Sequence, residues 1–104
     1  MKFVFDLDGT ICTEKPTFER SLALPVYTII SYINRLYNRG DTIIIYTARG
    51  WQEYEMTAKW LKDNNVNYHI LMMGKVHYDY WVDDRSCNPY EDLEKLDELV
   101  RRKA

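Results

Sequence analysis

Short apolar runs alternate along the chain with segments of helical period. Residues 2–6 form a run rich in Phe and Val that ends in an acid, and it is too short for a helix. Residues 42–46 form a second, β-branched run. Residues 68–72 and 78–82 continue the pattern. The sequence therefore predicts about four strands.

Helical period appears between these runs. Apolar side chains recur at helical spacing over residues 25–39, and Gly40 supplies a stop. Residues 51–64 and 90–102 predict two further helices, whereas residues 7–24 have no clear period and are interpreted as a loop. The predicted apolar face of the last helix consists of Leu93, Leu96, Leu99 and Val100.

The order of these elements predicts the fold class. Strands separated by helices favour parallel pairing with right-handed crossovers. Apolar strands with little alternation are typical of a sheet that is covered on both faces. We expect a small doubly wound, Rossmann-like α/β domain, with a mostly parallel sheet of about four strands and helices on both faces. The 104 residues are enough for one such domain, residues 1–104, and not for two.

Charge and composition narrow the functional classes. The net charge of −2 offers no global basic field for nucleic acid or anionic lipid. The sequence has no stretch that approaches the roughly 18–20 apolar residues of a membrane span, and its start has no signal-peptide core. Cys12 and Cys87 form neither a disulfide framework nor a CxxC pair. We therefore expect a reduced, cytoplasmic setting without a membrane partner.

Polar side chains follow the predicted strands. In a parallel α/β sheet, ligands bind outside the carboxyl ends of the strands. Carboxylates are the ligands that Mg²⁺ takes together with water and phosphate oxygens, and a hydroxyl and an ammonium suit the remaining phosphoryl oxygens. The pattern predicts phosphoryl transfer at this edge. In chain order the residues are Asp6 and Asp8, Thr47, Lys75, and Asp83 with Asp84.

Four blocks resemble, in order, the motifs of the haloacid dehalogenase (HAD) superfamily of phosphotransferases. Residues 3–10, FVFDLDGT, resemble the first motif, a hydrophobic run followed by DxDGT. Residues 44–47, IIYT, resemble the second, and Lys75 resembles the third. Residues 82–84, VDD, resemble the fourth. Together the blocks span nearly the whole chain.

The resemblance implies a role for each of these residues. Asp6 would be the nucleophile that becomes an aspartyl-phosphate. Asp8 would protonate the leaving group and then activate the hydrolytic water. Thr47 and Lys75 would bind the phosphoryl group, and Lys75 would also orient Asp6. The Mg²⁺ ligands would be Asp6, the backbone carbonyl of Asp8, Asp83 and, directly or through water, Asp84.

The spacing of the blocks leaves no room for the cap domain of many superfamily members. Capless members accept extended or macromolecular substrates, or close the site through oligomerisation, so a homo-oligomer is one expectation. Cover by the loop of residues 11–24 is another. Residues 74–75 and 80–85 further resemble the small phosphatases of bacterial capsule and surface-polysaccharide biosynthesis. A phosphorylated small molecule, in particular a sugar phosphate, is the substrate that this likeness suggests.

Several neighbouring residues are further candidates. Arg49, two residues after Thr47, is a possible contact to a second group of the substrate. Trp51 and Trp81 can stack on a sugar or base, although packing in the core is the favoured interpretation. Arg20 on the loop can meet an anion, but a solvated charge is favoured there.

The expected function is Mg²⁺-dependent hydrolysis of a phosphomonoester, and three alternatives compete with it. A receiver-type signalling domain would place its phospho-accepting Asp after a middle strand, where this chain has Thr47. A catalytically silent phosphate-binding module on the same fold would explain the pattern, although all the expected acids are present. A phosphatase acting on nucleotide or polynucleotide ends fits an open site but gains no support from the net charge of −2.

Overall fold

The computed structural model describes residues 1–103, with the side chains at positions 93, 99, 100 and 103 outside the description. Three strands and three α-helices alternate, with a 3₁₀ helix ahead of α1 and another ahead of α2. The strands are β1 (Lys2–Phe5), β2 (Thr42–Tyr46) and β3 (Ile70–Met72). The α-helices are α1 (Tyr27–Arg39), α2 (Tyr54–Asp63) and α3 (Leu93–Lys103), and the 3₁₀ helices are Thr17–Leu22 and Trp51–Glu53.

The strands form one parallel sheet in the order β1-β2-β3. Helix α1 connects β1 to β2 and α2 connects β2 to β3, so both crossovers step in the same direction across the sheet. Right-handed crossovers that step in one direction place their helices on one face. Burial agrees with this, because Ile43 and Ile45 share the core with α1, whereas Val4 and Ile70 on the opposite face are exposed.

The small, parallel, Rossmann-like α/β fold is therefore confirmed, with two corrections. The sheet has three strands in the described residues rather than about four, and α1 and α2 cover one face rather than both. A single winding direction is the reason, because a doubly wound sheet needs a reversal of strand order that this one does not have.

Helix α1 shows why the sequence pattern worked where it did. Its apolar side chains at helical spacing are buried, among them Ile29, Ile33 and Leu36. Gly40 ends the helix in the left-handed conformation, with φ of 103°. The chain then enters β2, whose Ile43 and Ile45 pack beneath the helix in the same core.

Residues 78–82 do not form the predicted fourth strand. Val82 is 94% exposed and Tyr80 is 88% exposed, so the apolar side chains of this run do not join the core. Gly74, with φ of 76°, turns the chain shortly after β3, and the Tyr78 and Trp81 rings then pack on a lysine side chain instead of a sheet.

The last helix begins at residue 93, later than the predicted 90. Leu96 packs against the core, as expected for the apolar face. The other predicted face residues, Leu93, Leu99 and Val100, have side chains outside the described set. Each helix in the described part of the chain is too short or too polar to span a bilayer.

Candidate active site

Asp6 and Lys75 lie together at the carboxyl edge of the sheet. Asp6 follows the last residue of β1, and Lys75 Nζ lies 3.7 Å from its Oδ1 atom. The backbone N–H of Lys75 donates to the carbonyl of Thr47 at 2.9 Å, which fixes the loop after β3 against the end of β2. The structure thus brings an acid, a hydroxyl residue and an ammonium to one edge from three different strands, as the strand-end pattern predicts.

Three aromatic rings surround the Lys75 ammonium. Its Nζ lies 6.0 Å from the ring centre of Tyr46, 5.1 Å from that of Tyr78 and 5.5 Å from that of Trp81. A cation over the face of such a ring is attracted by the electron-rich π system. The rings and the Asp6 carboxylate hold the ammonium at the edge of the sheet, and the Lys75 side chain is 12% exposed there.

Asp8 is held by a buried arginine. The Arg49 Nε and Nη2 atoms donate to the two carboxylate oxygens of Asp8, at 2.9 and 2.7 Å. The remaining Nη1 donates to the Thr57 hydroxyl at 3.0 Å. Burial acts to lower the pKa of Arg49, but the hydrogen bonds and charge of Asp8 outweigh it, so the pKa is raised and the guanidinium stays charged.

This geometry corrects the expectation for Arg49. The residue is only 2% exposed, and its guanidinium is directed at Asp8 and Thr57, so it is not placed to contact a second group of a substrate. Thr57 was not among the residues predicted from the sequence. A buried hydroxyl on the core-facing side of α2 was the available signal, because such a group needs a polar partner.

Thr47 is buried at the end of β2. Its backbone N–H donates to the Met72 carbonyl at 2.9 Å, and its Oγ1 accepts the Arg49 N–H at 3.2 Å. The hydroxyl proton of Thr47 is not used by these contacts. The residue therefore has a fixed position and an unused donor, but at 1% exposure that donor lies beneath the surface of the sheet edge.

Asp83 and Asp84 are not gathered with the other acids. Both are exposed, because the strand that should deliver them is not formed. Asp83 accepts the Arg85 N–H at 3.0 Å and the Trp81 Nε1–H at 3.4 Å. The hydrogen bond from the Arg85 backbone N–H, followed by the interactions with the Asp84 and Trp81 side chains, lowers the pKa of Asp83. These contacts are all local to the segment.

The expected Mg²⁺ site is consequently not assembled in this arrangement. Within residues 1–103, no three or more Asp, Glu, His or Cys side chains are grouped so as to hold a metal. The Asp8 ligand would be its backbone carbonyl; of the three carboxylate ligands, Asp6 lies against Lys75, and Asp83 and Asp84 are exposed on the segment after it. The four predicted ligands, Asp6, Asp8, Asp83 and Asp84, therefore do not fit the ion as they are placed here.

Cys12 is fully buried behind Asp8. Its Sγ donates to Asp8 Oδ1 at 3.6 Å and to the Leu7 carbonyl at 3.7 Å. Burial, followed by the charge of Asp8, raises the pKa of Cys12 to about 12. The thiol is therefore neutral at physiological pH and is not a nucleophile.

The loop of residues 11–24 is anchored on the 3₁₀ helix Trp51–Glu53 and on α2. Arg20 Nη1 contacts both oxygens of Glu53, at 2.8 and 2.7 Å, so this arginine is paired within the protein. The buried Trp60 donates its Nε1–H to the Ala23 carbonyl at 2.9 Å. These two contacts hold the second half of the loop against the 3₁₀ helix and α2.

Two tryptophans that the sequence analysis placed in the core are exposed. Trp51 is 63% exposed and stacks on Tyr54 with 6.0 Å between ring centres. Trp81 is 49% exposed beside Lys75. The packing interpretation is therefore wrong for both, whereas Trp60 on α2 is the buried tryptophan.

Fold and site together define a small parallel α/β domain. At the carboxyl edge of its sheet lie an acid, a lysine and a second acid that accepts hydrogen bonds from a buried arginine. No protein-family model matches the chain, and no curated protein matches it. Among solved structures, a structural-genomics target from Vibrio cholerae is similar over 99% of this chain and 98% of that one, with 26% identity and a TM-score of 0.77.

Two further similar structures come from larger assemblies. A chain of the Pnkp1/Rnl/Hen1 complex is 24% identical over 80% of this chain, with a TM-score of 0.63. A chain of the Pnkp1/Rnl/Hen1 RNA repair complex is 19% identical over 95% of this chain, also with a TM-score of 0.63. In both cases the match spans 31% of the other chain. At these identities the likeness shows the fold alone.

Proposed function

We propose that this chain is a HAD-type phosphatase that hydrolyses a phosphomonoester through an aspartyl-phosphate on Asp6. The observation that carries the proposal is the Asp6 carboxylate at the end of β1 with Lys75 Nζ 3.7 Å away. A nucleophile of this kind needs a cation beside it, because a carboxylate and an anionic phosphate repel each other. Asp8, two residues later, supplies a second carboxyl group to the same edge.

The proposed reaction has two steps. In the first, an Asp6 oxygen attacks phosphorus, the bond to the leaving oxygen breaks, and protonated Asp8 gives its proton to that oxygen. In the second, the Asp8 carboxylate takes a proton from water, the water oxygen attacks phosphorus, and the Asp6–phosphorus bond breaks. Inorganic phosphate leaves, Asp6 is again a carboxylate and Asp8 is again protonated.

Lys75 and Thr47 bind the phosphoryl oxygens during both steps. The Lys75 ammonium neutralises charge on the phosphoryl group, and such preorganised charge is a large contribution to catalysis. The free hydroxyl proton of Thr47 donates to a second phosphoryl oxygen. Both residues are held by backbone hydrogen bonds across the ends of β2 and β3, and the buried Thr47 hydroxyl must become accessible for this contact to form.

Mg²⁺ is proposed as the cofactor on the pattern of acids in the sequence. When bound it would neutralise phosphoryl charge, but the steps above use only side chains of this chain. Titration of the EDTA-treated protein with Mg²⁺ checks this part of the proposal. Restored hydrolysis supports the cofactor, and full activity after EDTA treatment contradicts it.

The proposed substrate is a phosphorylated small molecule, with sugar phosphates first. The exposed Trp51 and Trp81 rings support this, because a flat apolar ring suits the face of a sugar. A screen of sugar phosphates, nucleotides and an oligonucleotide with a terminal phosphate separates this class from polynucleotide ends. A homo-oligomer stays a prediction, which light scattering coupled to size-exclusion chromatography tests.

Hydrolysis of an aryl phosphate tests the proposed function. The wild-type protein is expected to release phosphate, and Asp6→Asn is expected to lose about 10³-fold or more of this activity. Asp63→Asn is the matched control, because Asp63 is an exposed acid on α2 that pairs with Lys59. Asp6→Asn with wild-type activity would overturn Asp6 as the nucleophile.

A further inference from the structure

We propose that Arg49 is a positioning residue that holds the Asp8 carboxyl group in the orientation needed to protonate the leaving oxygen. The inference rests on the proposed function, because it assigns a task to a residue behind the same site. Arg49 touches neither the substrate nor the reacting atoms. It acts through Asp8.

The geometry of the pair fixes the plane of the carboxyl group. Two nitrogens of one planar guanidinium contact its two oxygens, at 2.9 and 2.7 Å. A two-point contact of this kind restrains rotation as well as distance, which a single charge cannot do. The arginine is itself held by its third nitrogen, whose partner Thr57 is fully buried on α2. Helix α2 thereby sets the orientation of Asp8.

The two residues of the Arg49–Asp8 ion pair differ in solvent exposure. The Arg49 side chain is 2% exposed, whereas that of Asp8 is 17% exposed. A substrate at the sheet edge can therefore reach the carboxyl group and not the guanidinium. An ion pair that served stability alone would have no need to leave its acid open two residues after the candidate nucleophile.

A positioned Asp8 proton makes the rate depend on the leaving group. An alkoxide is a strong base and requires a proton as it departs, whereas p-nitrophenolate is a weak base and departs without one. Loss of Arg49 should therefore slow hydrolysis of alkyl phosphates selectively. The ratio of the two kcat/KM values does not depend on how much of the protein is folded, so a loss of stability alone leaves it unchanged.

The experiment compares glycerol phosphate with p-nitrophenyl phosphate. For Arg49→Met we expect kcat/KM to fall about 10²–10³-fold with the alkyl ester and only a few-fold with the aryl ester. Thr57→Val keeps the guanidinium but removes its anchor, so a smaller change in the same direction is expected. In an Asp8→Asn background, Arg49→Met should add no further selective loss, because the two residues act as one unit.

Arg39→Met is the matched control. Arg39 pairs with the buried Asp41, which directly precedes β2. This pair therefore lies at the opposite edge of the sheet from Asp6, which follows the end of β1. This variant should leave the ratio unchanged. If Arg49→Met does not fold, Thr57→Val gives the answer on its own.

The outcomes are distinguishable. A selective loss with the alkyl ester supports the positioning role. Equal losses with both esters, or an unchanged ratio in both Arg49→Met and Thr57→Val, would overturn the role of Arg49 while leaving phosphatase activity in place. A wild-type protein that hydrolyses neither ester would overturn the proposed function and this inference with it.

Discussion

The two regions that carry the candidate site residues differ in the reach of their side-chain contacts. In residues 1–75, here called the anchored region, Asp8 bonds to Arg49, which lies 41 residues away, and Lys75 lies against Asp6. In residues 76–92, here called the acidic segment, the described hydrogen bonds of Asp83 come only from its neighbours Trp81, Arg85 and Ser86. Contacts between distant elements fix a side chain relative to the rest of a site, and contacts between neighbours in sequence do not.

The two regions meet at the candidate site. Tyr78 and Trp81 of the acidic segment pack on the Lys75 ammonium. The Tyr90 hydroxyl donates to the carbonyl of Gly9 at 2.8 Å, directly after Asp8. The acidic segment is therefore tied to the anchored region through the residues around Asp6 and Asp8, which makes the comparison testable at the level of function as well as stability.

The largest expected difference between the regions is in thiol reactivity. Cys12 is buried in the anchored region, and Cys87 is exposed just after the acidic pair. Thiolate is the reacting form, and burial raises the pKa of Cys12 to about 12, so near neutral pH its thiol is protonated and its thiolate fraction grows only as the pH rises toward that value. Partial burial and the charge of Asp92 raise the pKa of Cys87 as well, but its thiol is exposed, so with a thiol reagent at about pH 8 it should react about 10³-fold or more faster than Cys12.

Peptide mapping by mass spectrometry measures the two rates, and denatured protein serves as the control. In the denatured chain both cysteines should react at similar rates. Rapid labelling of Cys12 in the native protein would contradict the burial behind Asp8.

Core truncation should separate the regions by stability. Ile45→Ala, in the middle strand beneath α1, should lower the free energy of unfolding by about 2–5 kcal/mol, because it leaves a cavity in the packed core. Val82→Ala, in the acidic segment, should change it by less than about 0.5 kcal/mol. Urea denaturation followed by circular dichroism measures both. A Val82→Ala loss as large as that of Ile45→Ala would mean that residues 78–82 belong to the core.

Catalysis should depend strongly on the cation of the anchored region. Lys75→Met removes the ammonium beside Asp6 and should lower kcat/KM for an aryl phosphate about 10²-fold. Lys75→Arg keeps the charge with a different shape and should lose less. Lys62→Met, on the far end of α2, is the matched control and should match the wild type. Wild-type activity in Lys75→Met would remove Lys75 from the site.

The smallest effect is expected where the regions touch. Trp81→Ala removes one ring from the Lys75 ammonium and should lower kcat/KM about two- to fivefold, the effect of one exposed cation–π contact. Trp81→Phe keeps a ring and should retain most of the activity. If the Phe variant loses as much as the Ala variant, the Trp81 Nε1–H bond to Asp83 matters instead of the ring.

The difference between the anchored region and the acidic segment also explains how much of the structure could be predicted from the sequence. The strands at residues 2–5 and 42–46 and the helix at 27–39 follow from local patterns, because buried runs and helical spacing are written along the chain. The meeting of Asp6 and Lys75 follows from the rule that parallel strands end at one edge. The predicted strand at residues 78–82 of the acidic segment was wrong, because an alternating aromatic run fits a strand and an exposed loop equally well.

The hydrogen bonds from Arg49 to Asp8 could not be predicted from the sequence, for a different reason. Arg49 was correctly placed near the site, but its partner depends on how α2 packs behind β2. The role of a charged side chain is decided by whether it points into the protein or out of it. A side chain two residues after Thr47 can point either way. The sequence therefore allowed Arg49 to contact a substrate, whereas the structure shows an internal ion pair with Asp8.

Trapping the phosphorylated enzyme tests the central claim most directly. Wild-type protein is mixed with p-nitrophenyl phosphate, quenched in acid within one turnover and treated with borohydride, which reduces an aspartyl-phosphate to homoserine. Peptide mapping should place the modification at residue 6, and Asp6→Asn should show none. Modification at another acid, or turnover by the wild-type protein without a trapped acyl phosphate at residue 6, would contradict the account.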